Sequence, residues 1–171
     1  KRFGLVSCRQ NPVGGGWEPC DVGCCLEIKT IKLLQDGRSF IDCIGVRRFK
    51  ILEHWVCDGY RVAKIDYLPD ETGDPNTPEN KKIVRGIYDQ LLKLMHQGQL
   101  RKLAALMIRF SGQKEMEIPL DDPSKFSYWV ASYLPLTTQF RQQILETTQT
   151  SERLKLTYDL VHQDSPPWTD A

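Results

Sequence analysis

The sequence predicts an α+β chain in which strands come first and helices follow. Three observations support this. Apolar residues alternate with polar ones through most of the first third of the chain. Two Asp-Gly dipeptides, Asp36-Gly37 and Asp58-Gly59, punctuate those runs. Beyond an acidic stretch at 69–80 the apolar spacing changes from two to three and four, behind hydroxyl or carboxylate caps. Segregated strands and helices indicate a barrel lobe at 1–69, a helical lobe of the same domain at 70–163 and a frayed tail at 164–171.

The segment RFGLVS (2–7) is short and apolar and is expected to be a strand. NPVGGGWEP (11–19) has the Gly and Pro content of a loop, which places Trp17 on that loop. In CCLEIKTIKLL (24–34) Leu26 and Ile28 share one phase and Ile31 and Leu33 the other, so a bulge or bend is expected near Thr30. Asp36-Gly37 then turns the chain into SFIDCIG (39–45). A third run, RFKILEHWVC (48–57), leads through Asp58-Gly59 into YRVAKIDYL (60–68). Short strands joined by tight turns indicate a small antiparallel barrel or sandwich.

The stretch IGVRRFKILE (44–53) raises a question, because two arginines interrupt an apolar pattern. Gly45 is expected to permit a bend between strands, with Arg48 outward and Phe49 inward. Arg47 and Arg48 are then either a polar corner pairing with Asp42 or Glu53, or contacts for a partner.

Thr77-Pro78-Glu79 begins the helical part with a hydroxyl N-cap, Pro at the first helical position and an acid at the positive dipole end. Ile83, Ile87, Leu91, Leu94 and Met95 recur at helical spacing up to Gly98, and Leu100, Leu103, Leu106, Met107 and Phe110 resume the pattern. SGQKEMEIPLD (111–121) reads as a loop. Asp122 caps a helix carrying Phe126, Trp129, Val130 and Tyr133, and Pro135 stops it. Thr137 or Thr138 caps the next helix. Thr150 is expected to cap the last, with Leu154, Tyr158 and Val161 stacked along one face.

Composition excludes several function classes. The 171 residues include 23 Lys+Arg and 22 Asp+Glu, a net charge of +1 that gives no reason to invoke nucleic acid or membrane. A chain of this length buries about 70% of its unfolded surface and needs no staples. No apolar run reaches the length of a membrane span, and KRFGLVSC is not a signal peptide. The six cysteines contain no Cys-x-x-Cys pair, which argues against zinc and for free thiols in a reducing cytoplasm.

Charge is uneven, however. An acidic run (Asp66, Asp70, Glu71, Asp74, Glu79) precedes a basic one that includes Lys81, Lys82, Arg85 and Lys93. The basic run is either a solvated helix face or a contact surface for an acidic partner.

No catalytic constellation emerges. The phosphate-cradling G-x₄-G-K-[ST] and the nucleophile elbow G-x-S-x-G are both missing. His54 and Cys57 are three apart on a strand and point to opposite faces. His96 and His162 sit at polar helical positions. Asp121-Asp122 reads as a helix cap ahead of Pro123. Trp129 is expected in the core and Trp55 on the barrel face. Trp17 is expected either exposed to a partner or tucked over its own barrel, and Trp168 sits in the tail. The candidate partner contacts are Trp17, Arg47, Arg48, Lys81 and Arg85. No catalytic, cofactor or metal residue is assigned.

The block VGCCLEIKTIKLLQDGRSFIDCIGVRRFKILEHWVCDGYRVAKIDYLPDE (22–71) resembles the LON substrate-binding domain, the N-terminal domain of Lon-type proteases. The similar marks are Gly23 ahead of an apolar-Glu-Ile strand, the Asp-Gly-Arg hairpin, IGVRRFKIL and DGYRVAKIDYL. DPSKFSYWVASYLPL and ILETTQTSERLKL look like that family's late helices. Cys24 and the DGYxxAxIDYLxDE pattern resemble the eukaryotic members that join this domain to a RING finger.

The resemblance implies a PUA-like pseudo-barrel followed by a helical bundle. It also implies a non-catalytic module for client proteins or degradation substrates, as the substrate-facing part of a RING-type ubiquitin ligase. The alternatives are the recognition domain of an ATP-dependent Lon protease or an RNA-binding PUA-like module. Against RNA, the basic residues gather in the helices. The Lon ATPase and peptidase and the RING's Cys/His ladder are not in these 171 residues, so neither activity carries over. The family's opening Leu-Pro-Leu strand is also missing ahead of RFG, so a barrel without its first strand, with an exposed edge or apolar gap, is expected. The sequence assigns no oligomeric state.

Overall fold

The computed structural model spans Lys1–Ala171 and describes residues 1–11, 14–101, 103, 105 and 118–163. The chain divides into two compact units, Lys1–Pro69 and Asp70–Ala171.

The first unit is all β, with β1 (Arg2–Leu5), β2 (Cys8–Asn11), β3 (Gly16–Pro19), β4 (Val22–Leu33), β5 (Ser39–Cys57) and β6 (Tyr60–Tyr67). Four strands form one sheet in the order β1-β4-β5-β6, and β2 and β3 form a separate hairpin. Every pairing is antiparallel. The segment expected as a Gly-rich loop is therefore largely strand, and Trp17 lies on β3 opposite Gln10. Cross-strand bonding overrode the local Gly signal there, helped by Glu18, which accepts from Arg9 and Asn11 at 2.9 and 3.2 Å.

The two Asp-Gly turns differ. Asp58 (φ 51°) and Gly59 (φ 79°) both occupy the left-handed region between the paired residues Cys57 and Tyr60, the two-residue turn whose twist matches the strands. At the other turn only Gly37 has positive φ (83°), and Asp36 accepts the Arg38 backbone N–H at 3.1 Å. The loop there runs from Leu34 to Arg38, where the Leu34 N–H donates to the Arg38 carbonyl at 2.8 Å.

Residues 39–57 form one strand, with no corner at Gly45. Leu26 faces Gly45 and Cys25 faces Arg47, so Val46 is an extra residue, a bulge. A bulge shifts the side-chain phase. The expected outward Arg48 is in fact 8% exposed, next to Phe49 at 3%. The bulge expected near Thr30 is present as a register shift between Ile28 and Thr30.

Phe49 is the main apolar anchor of this unit. Its ring lies over Gly23, where an added Cβ would sit 2.6 Å from Phe49 Cζ and 2.7 Å from the Leu5 carbonyl oxygen. Among the described residues of the unit, the buried apolar ones are Cys20, Val22 and Phe49.

The second unit contains α1 (Pro78–His96), α2 (Pro123–Tyr133), α3 (Thr138–Glu146) and α4 (Thr150–Val161). The caps of the first three follow the sequence expectation. Thr77, Asp122 and Thr137 accept from the backbone N–H of Asn80, Lys125 and Phe140 at 3.2, 3.0 and 3.2 Å. α1 closes on Gly98 (φ 75°), with the Gln99 N–H donating to the Leu94 carbonyl and the Gly98 N–H to that of Met95, both at 3.0 Å.

Thr150 does not cap α4. Gln149 occupies the cap position without a side-chain bond, and the Thr150 hydroxyl accepts instead from Arg153. The core gathers Val84, Ile87, Leu91 and Leu94 of α1, Phe126 and Val130 of α2, and Leu154, Leu160 and Val161 of α4, with Leu100 and Leu103. Trp129 packs partly buried against it, its ring stacked on Phe126 at 6.1 Å. Leu106, Met107, Phe110, residues 111–117 and the 164–171 tail with Trp168 lie outside the described residues.

Candidate functional site

The first unit presents an unusual amount of apolar surface. Trp17 is 71% exposed on β3, and Ile31, Leu33 and Phe40 are exposed where β4 and β5 pair. Trp55, 48% exposed, faces Val62 across β5 and β6, with Tyr60 close by on the same strand as Val62. Charged pairs interleave with these residues without covering them: Arg2–Glu27 at 2.9 Å, Lys29–Glu27 at 2.6 Å and Lys64–Glu53 at 3.7 Å. Large apolar side chains left exposed in this number are candidates for interaction with a partner.

The candidate contacts distribute as follows. Trp17 is exposed on the β2-β3 hairpin, apart from the four-stranded sheet. Arg47 lies with its guanidinium carbon 5.2 Å from the centre of the Tyr67 ring, a cation–π contact that keeps the head near the sheet surface. Arg48, being buried, supports the sheet from within. Lys81 and Arg85 are exposed on α1, in the second unit.

Burial pushes the Cys24 thiol above its ordinary value, which leaves it protonated and weakly reactive. Hydrogen bonds from Lys29 and Arg2 hold the Glu27 carboxyl down to about 2. His54 sits opposite Ala63 and Cys57 opposite Tyr60 on β5. The His96 and His162 rings approach the carbonyls of Leu92 and Tyr158 on their own helices, at 2.7 and 2.9 Å. Among the described residues, no group of three or more His, Cys, Asp or Glu could hold a metal ion.

The most ordered polar cluster was not foreseen. Arg153 is fully buried, and its five N–H donors are all in use. Nη1 donates to Asp70 Oδ1 at 3.1 Å and to the carbonyls of Thr147 and Thr148; Nη2 donates to Asp70 Oδ2 at 2.8 Å and to Thr150 Oγ1 at 3.0 Å. Nε reaches Ser127 Oγ at 3.1 Å. Asp70 also accepts from Tyr128 and Ser124, at 3.1 and 3.2 Å. A signal existed in the sequence. On α4, Arg153 shares its buried face with Leu154, Thr157, Leu160 and Val161, and a buried arginine requires a carboxylate.

Beside this cluster a polar cavity of about 440 Å³ opens between the 70–75 loop and the helix starts at Asn80, Ser124 and Thr150. Its carboxylates already serve the fold. Asp70 holds Arg153, Glu71 accepts from Thr148 and Gln149, and Asp74 accepts the Asn76 N–H. The arrangement suits anchoring of the loop better than acid–base work, which needs groups left free to exchange a proton.

Residues 1–163 match the family model described as the ATP-dependent protease La (LON) substrate-binding domain. The chain belongs to that family. Similar curated relatives include a Lon protease of Brevibacillus choshinensis, 25% identical over 84% of this chain and 17% of its own length. Another is a Lon protease of Aquifex aeolicus, 30% identical over 77% of this chain and 16% of its own. This LON domain thus spans about a sixth of the relatives it matches.

Two solved structures share the fold. A Lon N-terminal domain protein from Xanthomonas campestris superposes with a TM-score of 0.60 at 20% identity, covering 91% of this chain and 73% of that one. The N-terminal domain of a Mycobacterium avium complex Lon protease gives 0.61 at 19% identity, covering 86% and 73%. Antiparallel strands followed by helices, the α+β class, is the architecture of Lon N-terminal domains. Among the described residues no helix is long and apolar enough to cross a membrane.

Proposed function

We propose that this LON domain recognises polypeptide substrates on behalf of a larger ATP-dependent Lon-type protease. Trp17, Arg47 and the exposed apolar pairs of the β4-β5-β6 sheet would form the receiving surface. The observation that carries the reading is the imbalance of the first unit. Among the described residues its buried apolar ones are Cys20, Val22 and Phe49, while Ile31, Leu33, Phe40, Trp55 and Tyr60 stay exposed. An unfolded substrate offers apolar segments, and each Å² of apolar surface withdrawn from water contributes about 25 cal/mol. Such a role asks no chemistry of this chain. Arg48 acts by holding β5 in place, whereas Arg47 and Trp17 meet the substrate. The six free cysteines fit a reducing, cytoplasmic setting.

A ubiquitin-ligase parent is the second reading. The Cys24 and Asp58–Glu71 strings favour it, while the Lon proteases among the relatives favour the first. The parent's flanking sequence separates the two: an AAA+ module for the protease, a Cys/His ladder for the ligase. For recognition itself, fluorescence anisotropy of labelled, reduced and carboxymethylated casein against this chain is the direct test. We expect saturable binding that Trp17→Ala weakens by about three- to tenfold. Binding no stronger than that of an unrelated folded control protein rejects the recognition role.

A further inference from the structure

We propose that the outward face of α1 is a docking surface for an acidic polypeptide segment, gripped by Lys81, Lys82, Arg85 and Lys93. All four are exposed, while Val84, Ile87, Leu91 and Leu94 bury the opposite face and fix the helix's rotation. Their side chains make no ion pair or hydrogen bond with any described residue, although Asp89 lies one turn from both Arg85 and Lys93. The acids before the helix and in its first turn do not pair with them either: Asp70 is paired with Arg153, and Glu71, Asp74 and Glu79 make no ion pair with the stripe among the described residues. The stripe therefore keeps its positive charge available to a partner.

Spacing and composition select the partner's chemistry. Along the helix axis Lys81 and Arg85 are about 6 Å apart and Arg85 and Lys93 about 12 Å. An extended chain presents same-side residues every ~6.6 Å, so carboxylates at alternate positions fall into register with these cations. Among the described residues the face carries no exposed Phe, Tyr or Trp ring on which a base could stack, the one exposed ring being the His96 imidazole, and no exposed large apolar side chain to enter a bilayer. Asp89, in mid-stripe, would oppose a continuous phosphate backbone, whereas a peptide can pass it with an uncharged residue. This surface lies in the second unit and does not depend on the apolar sheet of the first.

The test is the anisotropy of a fluorescein-labelled peptide with Glu at alternate positions except for one Gln in the place that falls opposite Asp89, set beside the same peptide with Gln for every Glu, in low salt. We expect the Glu peptide to bind at least about tenfold tighter, and the difference to shrink as salt rises. Lys81→Glu/Arg85→Glu should abolish the preference, and Lys32→Glu/Arg61→Glu, the same charge change on exposed strand positions, should leave it. If the first variant melts early, Lys81→Gln/Arg85→Gln replaces it. Equal binding of the two peptides, or equal effects of the two charge reversals, overturns the proposal. Tighter binding of single-stranded DNA or phosphatidylserine vesicles through the same residues also overturns it, and gives the face to nucleic acid or lipid.

Discussion

Arg153 is the residue on which the second unit most depends. Its guanidinium joins Asp70, at the start of the unit, to the chain leading into α4 through the carbonyls of Thr147 and Thr148. It also lies 4.4 Å over the Tyr128 ring. Removing one partner of a buried pair strands the other, at a cost of about 3–5 kcal/mol. Arg153→Ala is therefore expected to lower the unfolding free energy obtained from urea titration by about that amount. Asp70→Asn should cost less than Arg153→Ala, because Asp70 is one-third exposed and an amide can still accept one bond. The double variant should cost clearly less than the sum, because both changes break the same contact. Additive losses would mean that the two residues act independently.

At the scale of elements, legibility followed the range of the signal. The caps at Thr77, Asp122 and Thr137, the Gly98 stop and the Asp58-Gly59 turn are set by residues within one turn of each other, and all were readable. The β2-β3 hairpin was not, because its pairing depends on contacts such as Arg9–Glu18 across a Gly-rich connection. The inward turn of Arg48 was hidden for a similar reason: the Val46 bulge exists only relative to β4. For Trp17 the sequence allows both an exposed and a tucked ring and places it on a loop instead of a strand, and the Arg153 cluster was missed because its partner lies 83 positions away.

The β1-β4-β5 contact yields a second prediction at this scale. Gly23 has no room for a methyl group, because Phe49 Cζ and the Leu5 carbonyl stand 2.6 and 2.7 Å from where it would go. One of these obstacles is backbone, so the strands must separate. Gly23→Ala is expected to destabilise by about 1–3 kcal/mol in thermal or urea unfolding, the range for overpacking. Gly16→Ala, on β3 with open space around it, should cost less than about 1 kcal/mol. Equal losses at the two positions would show that the Phe49 contact does not constrain the sheet.

Across the whole molecule the two units are built on different terms. The second buries a continuous core that runs from Val84 on α1 to Val161 on α4 and ties down its one fully buried arginine among the described residues. The first has long strands, but among the described residues its buried apolar side chains are Cys20, Val22 and Phe49. Backbone hydrogen bonds alone contribute little net stability, so a sheet with few buried apolar contacts opens readily. Native-state hydrogen exchange on the intact chain should reveal this asymmetry. Amides of α1 and α4 around Leu91 and Leu154 are expected to exchange at least about tenfold more slowly than those of β6 and the outer half of β4. Casein bound at saturation should slow β4, β5 and β6 and leave the α4 amides near Leu154 unchanged. If exchange in the sheet matches that of α1 without any ligand, the first unit is not short of burial, and its exposed Trp and Ile residues lose their physical claim to a partner.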